Sequence, residues 1–475
     1  MAQIRTAVKG QENTRNELSI EDDVLVESNN GSNITISLQD IFAIKTSDNA
    51  FVVNYASYPT ATETAEPTDK SLRPKTVTRA LNVKLYLPLE GVDEPAAAGY
   101  LSPGDFFDEL QKRLQIKPLA SNTKIHAILN PVSGLRQSLE NWKNIIAPML
   151  NLSGIADDSV VLHTTKGVTD GNRLAKDLAL NVLAKSENPI ILLCIGGDGT
   201  LHEVINGLSQ ASVKTKVQLV VIPTGSGNAF ANALGITDPA DAVLRLLRGN
   251  QQPLRTIRVS IGKCPVPYDS QDWHNHVEFD RVDHDPRIMV VFSFGFHTQI
   301  VSKSNYLRPF MGNSRFSLVA GFLLWWMPQY GGRLVLDEGA QEYNAEQQNW
   351  RTANDKTHID GQYTYFLGSK MPELEPGFRI APFASTSDEH VDLVLLRNGT
   401  SDELKSILYK AFAKGSHVNE PKLEYWKAKG FLLRVQDAAE VCLDGEIHKV
   451  PKGGVVRLQV VQPSTEGEIA IDVFM

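Results

Sequence analysis

The chain has 475 residues, 42% of them hydrophobic and 21% charged, with a formal net charge of −8. That length calls for two or three domains, and the composition is that of a globular protein. The negative balance excludes bulk nucleic-acid binding, and three widely spaced cysteines (Cys194, Cys264, Cys442) read as buried thiols of a reducing compartment rather than metal ligands.

The first 20 residues are polar, have no apolar run, and are expected to carry no signal peptide; Ala2 excludes N-myristoylation. From "DDVLVES" to "NVKLYLPLEG" the chain is rich in β-branched residues with polar breaks, which predicts a small β-rich region. "SPGDFFDELQKRLQIKP" predicts a helix with Ser102 as cap and Pro103 at the first helical position. Residues 121 to about 250 alternate strand and helix: "KIHAIL", "DSVVLHTT", "PIILLCI" and "VQLVVI" are strands. The helix in "SLENWKNIIAPMLNL" is expected to break near Pro148. Repeated βα units imply a doubly wound parallel sheet. From about 256 onward, short strands separated by turns predict an antiparallel β-sandwich, interrupted by helices near 303–327 and 401–414. The expected division is a β-rich region with linker helix (1–120), an α/β domain (121–255) and a β-sandwich (256–475). The most apolar stretch, "FSLVAGFLLWWMP", falls short of the roughly 20 residues that span a bilayer.

Three turns after sheet strands hold the chemistry: "NPVSG" (Asn130, Ser133, Gly134), "GGDGT" (Gly196, Gly197, Asp198, Gly199, Thr200) and "PTGSGN" (Thr224, Gly225, Ser226, Gly227, Asn228). Turns that open helices display N–H groups and favour phosphate, and no Walker-type GxxxxGK[ST] is present. Thr200 and Glu203 fit a capping box, Asn228 fits a helix cap, and His202 reads as a solvated surface histidine. With Thr200 filling the cap, Asp198 is left without a structural explanation and is the candidate catalytic carboxylate.

"GGDGTLHEVINGL" followed by "IPTGSGNAFANALG" resembles the diacylglycerol kinase catalytic family, which includes sphingosine and ceramide kinases; "NPVSG", "FRIAPFASTSDEHVDLVLLR" and "CLDGEIHKV" resemble its other motifs. The resemblance implies an ATP- and Mg²⁺-dependent lipid kinase with its active site between an α/β and a β-sandwich domain. It implies Asp198 as general base and the three turns, with Thr165, as nucleotide contacts. Asp444, Gly445 and Glu446 would return to the nucleotide and metal side, and Arg308 and Arg315 would hold phosphates. The metal ligands themselves are unknown.

Two departures stand out. "NPVSGLRQS" has Leu135-Arg136-Gln137 where the family's motif continues with a second glycine. Gln299 and Val301 stand where sphingosine kinases carry acids for an amino headgroup, which shifts the expected acceptor toward ceramide or another neutral lipid alcohol. Phe322 and Trp326 are candidates for lining a lipid pocket or resting on a membrane. The expected protein is a cytoplasmic, membrane-peripheral lipid kinase of the sphingoid-base type, with diacylglycerol or ceramide kinase, or a catalytically weak lipid-binding scaffold, as alternatives. Its expected partners are a lipid substrate and a membrane surface, with a homodimer as a further option and no nucleic acid. The N-terminal region resembles a pleckstrin-like extension.

Overall fold

The computed structural model describes residues 4–9, 15–29, 32–47, 50–57, 80–88, 103–117, 119 and 123–475, except 212, 214, 281–283, 306–313 and 462–467. The N-terminal strands are β1 (Ile4–Lys9), β2 (Arg15–Glu21), β3 (Val24–Asn29), β4 (Ser32–Ser37), β5 (Ile41–Ser47), β6 (Ala50–Ser57) and β7 (Ala80–Pro88). They form one seven-stranded sheet in the order β4-β3-β2-β1-β7-β6-β5. Helix α1 (Pro103–Leu114) lays Phe106, Phe107, Leu110 and Leu114 against Leu18, Leu25, Ile36 and Val53 of that sheet. The i, i+1, i+4 and i+8 spacing of those apolar residues makes one stripe, which is why this segment is helical and docked. Pro103 stands at its first position as expected; Ser102 lies outside the described residues.

The second sheet contains β8 (Ile125–Leu129), β9 (Val160–Thr164), β10 (Ile190–Gly196), β11 (Val217–Pro223) and the short β12 (Gln251–Pro253). Strands β9, β8, β10 and β11 are parallel neighbours in that order. The chain leaves β8 outward to β9 and then returns past it to β10. The turns after β8 and β10 therefore flank a topological switch point, where open α/β sheets bind ligands. The helices of this domain include α2 (Asp170–Asn181), α3 (Asp198–Leu208), α4 (Ala229–Ala233) and α5 (Pro239–Arg248). Asp238 caps α5 through the N–H groups of Ala240 and Asp241, and Gly249 ends it in the left-handed region. The helix expected to break near Pro148 runs through a π-turn at Trp142–Ile146, where Ala147 N–H reaches Trp142 O. Pro148 has no N–H for the Asn144 carbonyl, and the wider turn is the local response.

The sheet is completed by the last strand of the chain. Ile471–Phe474 inserts between β11 and β12, parallel to the former and antiparallel to the latter. The expected sandwich span of 256–475 is therefore corrected at its end: Ile471, Val473 and Phe474 are buried in the α/β core, and the sheet a strand joins is set by the edge it meets rather than by its own pattern.

The remaining strands form a large antiparallel sheet: β13 (Ile257–Lys263), β14 (Glu278–Phe279), β15 (Arg287–Ile288), β16 (Val291–Gly295), β17 (Tyr330–Leu336), β18 (Gln341–Asn344), β19 (Asn349–Thr352), β20 (Thr357–Ser369), β21 (Val391–Arg397), β22 (Leu423–Ala428), β23 (Gly430–Val435), β24 (Ala439–Leu443), β25 (Glu446–Val450) and β26 (Val455–Val460). The 13-residue strand β20 pairs with β17 along its first half and with β16 and β21 along its second, with a register shift at Tyr363/Tyr365. One strand thus belongs to two layers. Phe292 of β16 meets Phe431 of β23 across the layers, ring centroids 5.4 Å apart and edge to face. Helices α6 (Phe296–Asn305), α7 (Ser314–Trp326) and α8 (Ser401–Phe412) lie outside this core. No helix among the described residues is long and apolar enough to cross a membrane. Burial pushes the Cys194 and Cys442 thiols up to about 12, in keeping with inert packed sulfurs.

Candidate active site

The three glycine turns meet, and backbone contact brings them together. Asn130 N–H donates to Ile195 O and Thr224 N–H to Gly196 O, each at 2.9 Å, which extends the parallel ladder into the turns. A Cβ on Gly225 would stand 2.4 Å from Gly197 Cα, and one on Gly134, whose φ is +54°, would stand 2.4 Å from Thr224 O. Neither position accepts a side chain, so glycine is required for the turns to pack edge to edge. Side chains then lock the junction. Asn130 Nδ2 donates to Thr200 Oγ1 at 2.9 Å, and Ser138 Oγ donates to Thr224 Oγ1 at 2.9 Å. Asn228, at φ +53°, closes its own turn by accepting from Gly225 N–H and donating to Gly225 O. Ser133 and Thr165 are buried, whereas Ser226, Gly227 and Gly199 are exposed; nothing lies within 4 Å of a Cβ built on Gly199.

Helix α3 begins three residues earlier than the capping-box reading requires. Its N-cap is Gly197, Asp198 is its first residue, and Thr200 lies inside the first turn. That expectation is corrected: Glu203 instead crosses to α2, accepting from Thr169 N–H at 3.1 Å and Gly171 N–H at 2.9 Å. The two helices can approach because a Cβ on Gly207 would lie 2.1 Å from Asn172 O.

Asp198 also has a structural role, contrary to the sequence reading. Its Oδ2 accepts from Ala229 N–H at 2.8 Å and its Oδ1 from Phe230 N–H at 3.0 Å. It therefore caps α4, the job expected of Asn228. These two bonds fix the carboxylate at the mouth of the three turns and leave one lone-pair direction free on each oxygen. Burial raises the Asp198 pKa, the two N–H bonds pull it down, and the nearby Asp444 charge adds to the rise; the net direction is upward.

Asp444 does not present its carboxylate to the cleft. Its oxygens accept from Met289, Val290 and Val291 N–H at 2.8–2.9 Å, its side chain is 1% exposed, and its φ is +49°. The expectation of a nucleotide- or metal-facing Asp444 is corrected: the turn it opens must be pinned to the start of β16, and three backbone donors do this. Gly445 and Glu446 are exposed beside it, with Glu446 Oε2 3.8 Å from His202 Nε2. His202 is no solvated histidine. It is buried, and its Nδ1 lies 3.2 Å from Asp444 Oδ2. Four residues on, Asn206 donates to Arg287 O and accepts from Arg287 N–H, both at 2.8 Å. Arg287 in turn grips Glu468 through both carboxylate oxygens at 2.7 and 2.9 Å. Sequence reasoning missed this interdomain seam; the signal was a polar pair, His202 and Asn206, at i and i+4 on one face of the helix.

Of the remaining candidates, Arg308 lies outside the described residues, and Arg315 stands in the first turn of α7 with no side-chain description. Gln299 is buried and donates from Nε2 to Glu440 Oε2 at 3.2 Å, while Val301 is half-buried. Phe322 and Trp326 do not line a closed pocket. They share an outer face with Leu318 and Trp325 (Trp325 is 77% exposed), while Val319 and Leu323 are buried beneath.

The donor set fits a nucleoside triphosphate. The start of α3 and the exposed turn at Ser226 and Gly227 offer N–H groups, and the exposed Ser226 hydroxyl flanks them. No cluster of three or more carboxylates, histidines or cysteines able to hold a metal by itself occurs among the described residues. Glu446 is an exposed carboxylate beside His202 of α3.

Comparison with known proteins agrees with this geometry. The family described as diacylglycerol kinase catalytic domain matches residues 124–259. A sphingoid long-chain bases kinase of Arabidopsis thaliana is 30% identical over 166 residues, 34% of this chain and 20% of its own length. A diacylglycerol kinase of Bacillus subtilis is 25% identical over 349 residues, 72% of this chain and 97% of its own. This chain thus spans about a fifth of the plant relative and nearly all of the bacterial one. A solved Bacillus anthracis structure assigned to diacylglycerol kinase superimposes with a TM-score of 0.52 at 16% identity, over 74% of this chain and 96% of that one, which supports the fold. Residues 124–259 thus match the diacylglycerol kinase catalytic domain, and the chain is similar to lipid kinases.

Proposed function

We propose that this protein transfers the γ-phosphate of ATP to a lipid hydroxyl, with a sphingoid long-chain base as lead acceptor. The observation that carries the proposal is the Asp198 carboxylate, held by two N–H groups at the point where three glycine turns converge. As the lipid oxygen bonds to the γ-phosphorus, the bond to the β-phosphate oxygen breaks and ADP leaves. The hydroxyl proton passes to Asp198, a transfer worth roughly 10²–10⁴ in rate. A carboxylate with a raised pKa is the stronger base for that step. The turns 130–134 and 224–228 bind and orient the phosphates through backbone N–H groups. Glu446, exposed beside His202, would help to hold a Mg²⁺ ion, which would supply neutralisation of phosphate charge.

The acceptor is argued from two sides. Similarity to a sphingoid long-chain bases kinase supports an amino lipid. The neutral Gln299, its amide engaged by Glu440, favours diacylglycerol or ceramide as the second reading, and the relative with the wider coverage is a diacylglycerol kinase. The aromatic face of α7 supports a peripheral, cytoplasmic enzyme working at a membrane, since Trp and Phe on one exposed helix face suit the lipid interface. The seven-stranded sheet closed by α1 supports a pleckstrin-like N-terminal region. Labelled ATP offered with sphingosine, phytosphingosine, ceramide and diacylglycerol in detergent micelles tests the reading. Preferential labelling of a sphingoid base upholds it, labelling of a neutral lipid selects the second reading, and no labelled lipid together with no ATP-induced thermal shift leaves a binding scaffold.

A further inference from the structure

One hydroxyl bonds another where the first and third glycine turns meet. Ser138 opens the short helix Ser138–Asn141 and is fully buried. Its Oγ donates to Thr224 Oγ1 at 2.9 Å. The chain reaches that point through Arg136, whose φ of +63° and N–H bond to Ser133 O at 2.8 Å turn it back after Gly134. Gln137 O then accepts from Asn141 N–H at 2.8 Å, and the helix starts with Ser138 beside the third turn. Thr224 is held on its other sides as well. Its N–H donates to Gly196 O at 2.9 Å, and Gly134 approaches its carbonyl so closely that no Cβ would fit. The Thr224 hydroxyl is therefore mounted on fixed backbone.

A hydroxyl has one proton to give and two lone pairs with which to accept. Ser138 supplies the proton of the bond between them, so Thr224 keeps its own, and nothing accepts it among the described residues. Thr224 is half-buried, and Ser226 and Gly227 after it are exposed. The unspent donor thus belongs to a turn that is open to a ligand. Without Ser138 the hydroxyl would rotate freely and could turn its lone pairs toward an anion, which repels them. With Ser138 one lone pair is engaged, and a hydroxyl that already accepts is polarised into a better donor.

We propose that Ser138 is a positioning residue for the nucleotide: by donating to Thr224 Oγ1 it commits the Thr224 hydroxyl to donate to a phosphate oxygen of ATP. Thr224 touches the ligand, and Ser138 acts through it. A bond from a hydroxyl to a charged oxygen is of the stronger kind, whereas the bond between the two hydroxyls is a neutral pair. The inference rests on the proposed ATP site and adds to it a side-chain donor that the backbone N–H groups do not supply.

The test is calorimetric titration of the full chain with ATP and Mg²⁺, with thermal melts on the same preparations. Thr224→Val is nearly isosteric and is expected to weaken ATP binding by at least about tenfold, the size of one hydrogen bond to a charged group. Thr224→Ser returns the hydroxyl and is expected to recover most of that loss. Ser138→Ala is expected to weaken binding about three- to tenfold. Because Ser138 works through Thr224, the double variant Ser138→Ala/Thr224→Val is expected to bind no more weakly than Thr224→Val alone. In steady state the KM for ATP is expected to rise in Ser138→Ala and Thr224→Val by more than kcat falls. If Ser138 serves packing only, its alanine variant melts lower while ATP affinity holds; that result overturns the proposal, and so does a double variant whose two losses add. Failure of the wild type to bind ATP would overturn the proposed function together with this inference, whereas wild-type binding that Thr224→Val leaves intact removes this inference alone.

Discussion

His202 Nδ1 lies 3.2 Å from Asp444 Oδ2, joining the helix that carries Asp198 to the turn between β24 and β25. The same carboxylate accepts three N–H groups at the entrance to β16. Two histidine-to-carboxylate and amide-to-backbone links, four residues apart on α3, therefore set the catalytic helix against the antiparallel domain. The cleft owes its geometry to this seam.

The seam titrates. Burial alone would lower the His202 pKa, but the Asp444 hydrogen bond and the surrounding Asp444, Glu446 and Glu203 charges outweigh it, and the net shift is upward. A pKa raised in the folded state stabilises the protein fully below the unfolded value of about 6.5, and that stabilisation is lost as pH rises through the folded value. Thermal melts of wild type from pH 5.5 to 9 are expected to fall relative to those of His202→Gln above about pH 6.5. At low pH the variant is expected to be less stable by about 1–3 kcal/mol. Parallel curves for the two proteins would remove His202 as the titrating latch.

Asp198→Asn is expected to fold and to lose turnover by at least about 10². The amide can accept only through its oxygen, so one of the two α4 N–H groups loses its acceptor and faces a donor, at a cost of about 1–3 kcal/mol. Melting temperature and single-turnover labelling in the same preparation separate the two effects. In wild type the acid limb of kcat/KM is expected above the ordinary carboxylate range, because burial raises the Asp198 pKa.

Gly225→Ala places a methyl group 2.4 Å from Gly197 Cα, and backbone on both sides must move. Overpacking of this kind costs about 1–3 kcal/mol. Because the strain falls between two phosphate-facing turns, the stabilisation that ATP gives in a thermal-shift titration is expected to shrink by more than the stability loss alone would cause. An unchanged nucleotide response would place the phosphates elsewhere.

Arg136 holds φ +63° in the turn where the family's second glycine is replaced. A side chain in the left-handed region costs about 1–2 kcal/mol. Arg136→Gly is expected to recover about half or more of that in chemical denaturation, since glycine adds unfolded-state entropy. If the turn had weakened nucleotide binding through stiffness, the variant will also bind ATP more tightly; unchanged stability would show that the turn is not strained.

Much of the site was legible before folding. The apolar run 190–195, the glycines after it and the periodic Leu201, Val204, Ile205 and Leu208 define a strand, a turn and a helix by local rules, and Asp198 falls at the ligand-facing end. Such signals are local because residue spacing alone sets which face is buried. What the side chains of that stretch touch was not legible: Asp198 caps α4, 31 residues away, and Glu203 caps α2 on the other side of the chain.

By itself the sequence determined the order of strands and helices, the three glycine turns and the lone carboxylate among them, since each follows from periodicity and from the conformations open to glycine. Only the tertiary structure decided that Ile471–Phe474 returns to the first sheet, that Asp444 and His202 form a seam rather than a ligand set, and that the tryptophans of α7 face outward. Those outcomes depend on which distant backbone donors and apolar faces come within a few ångströms, and nothing in residue spacing carries that information.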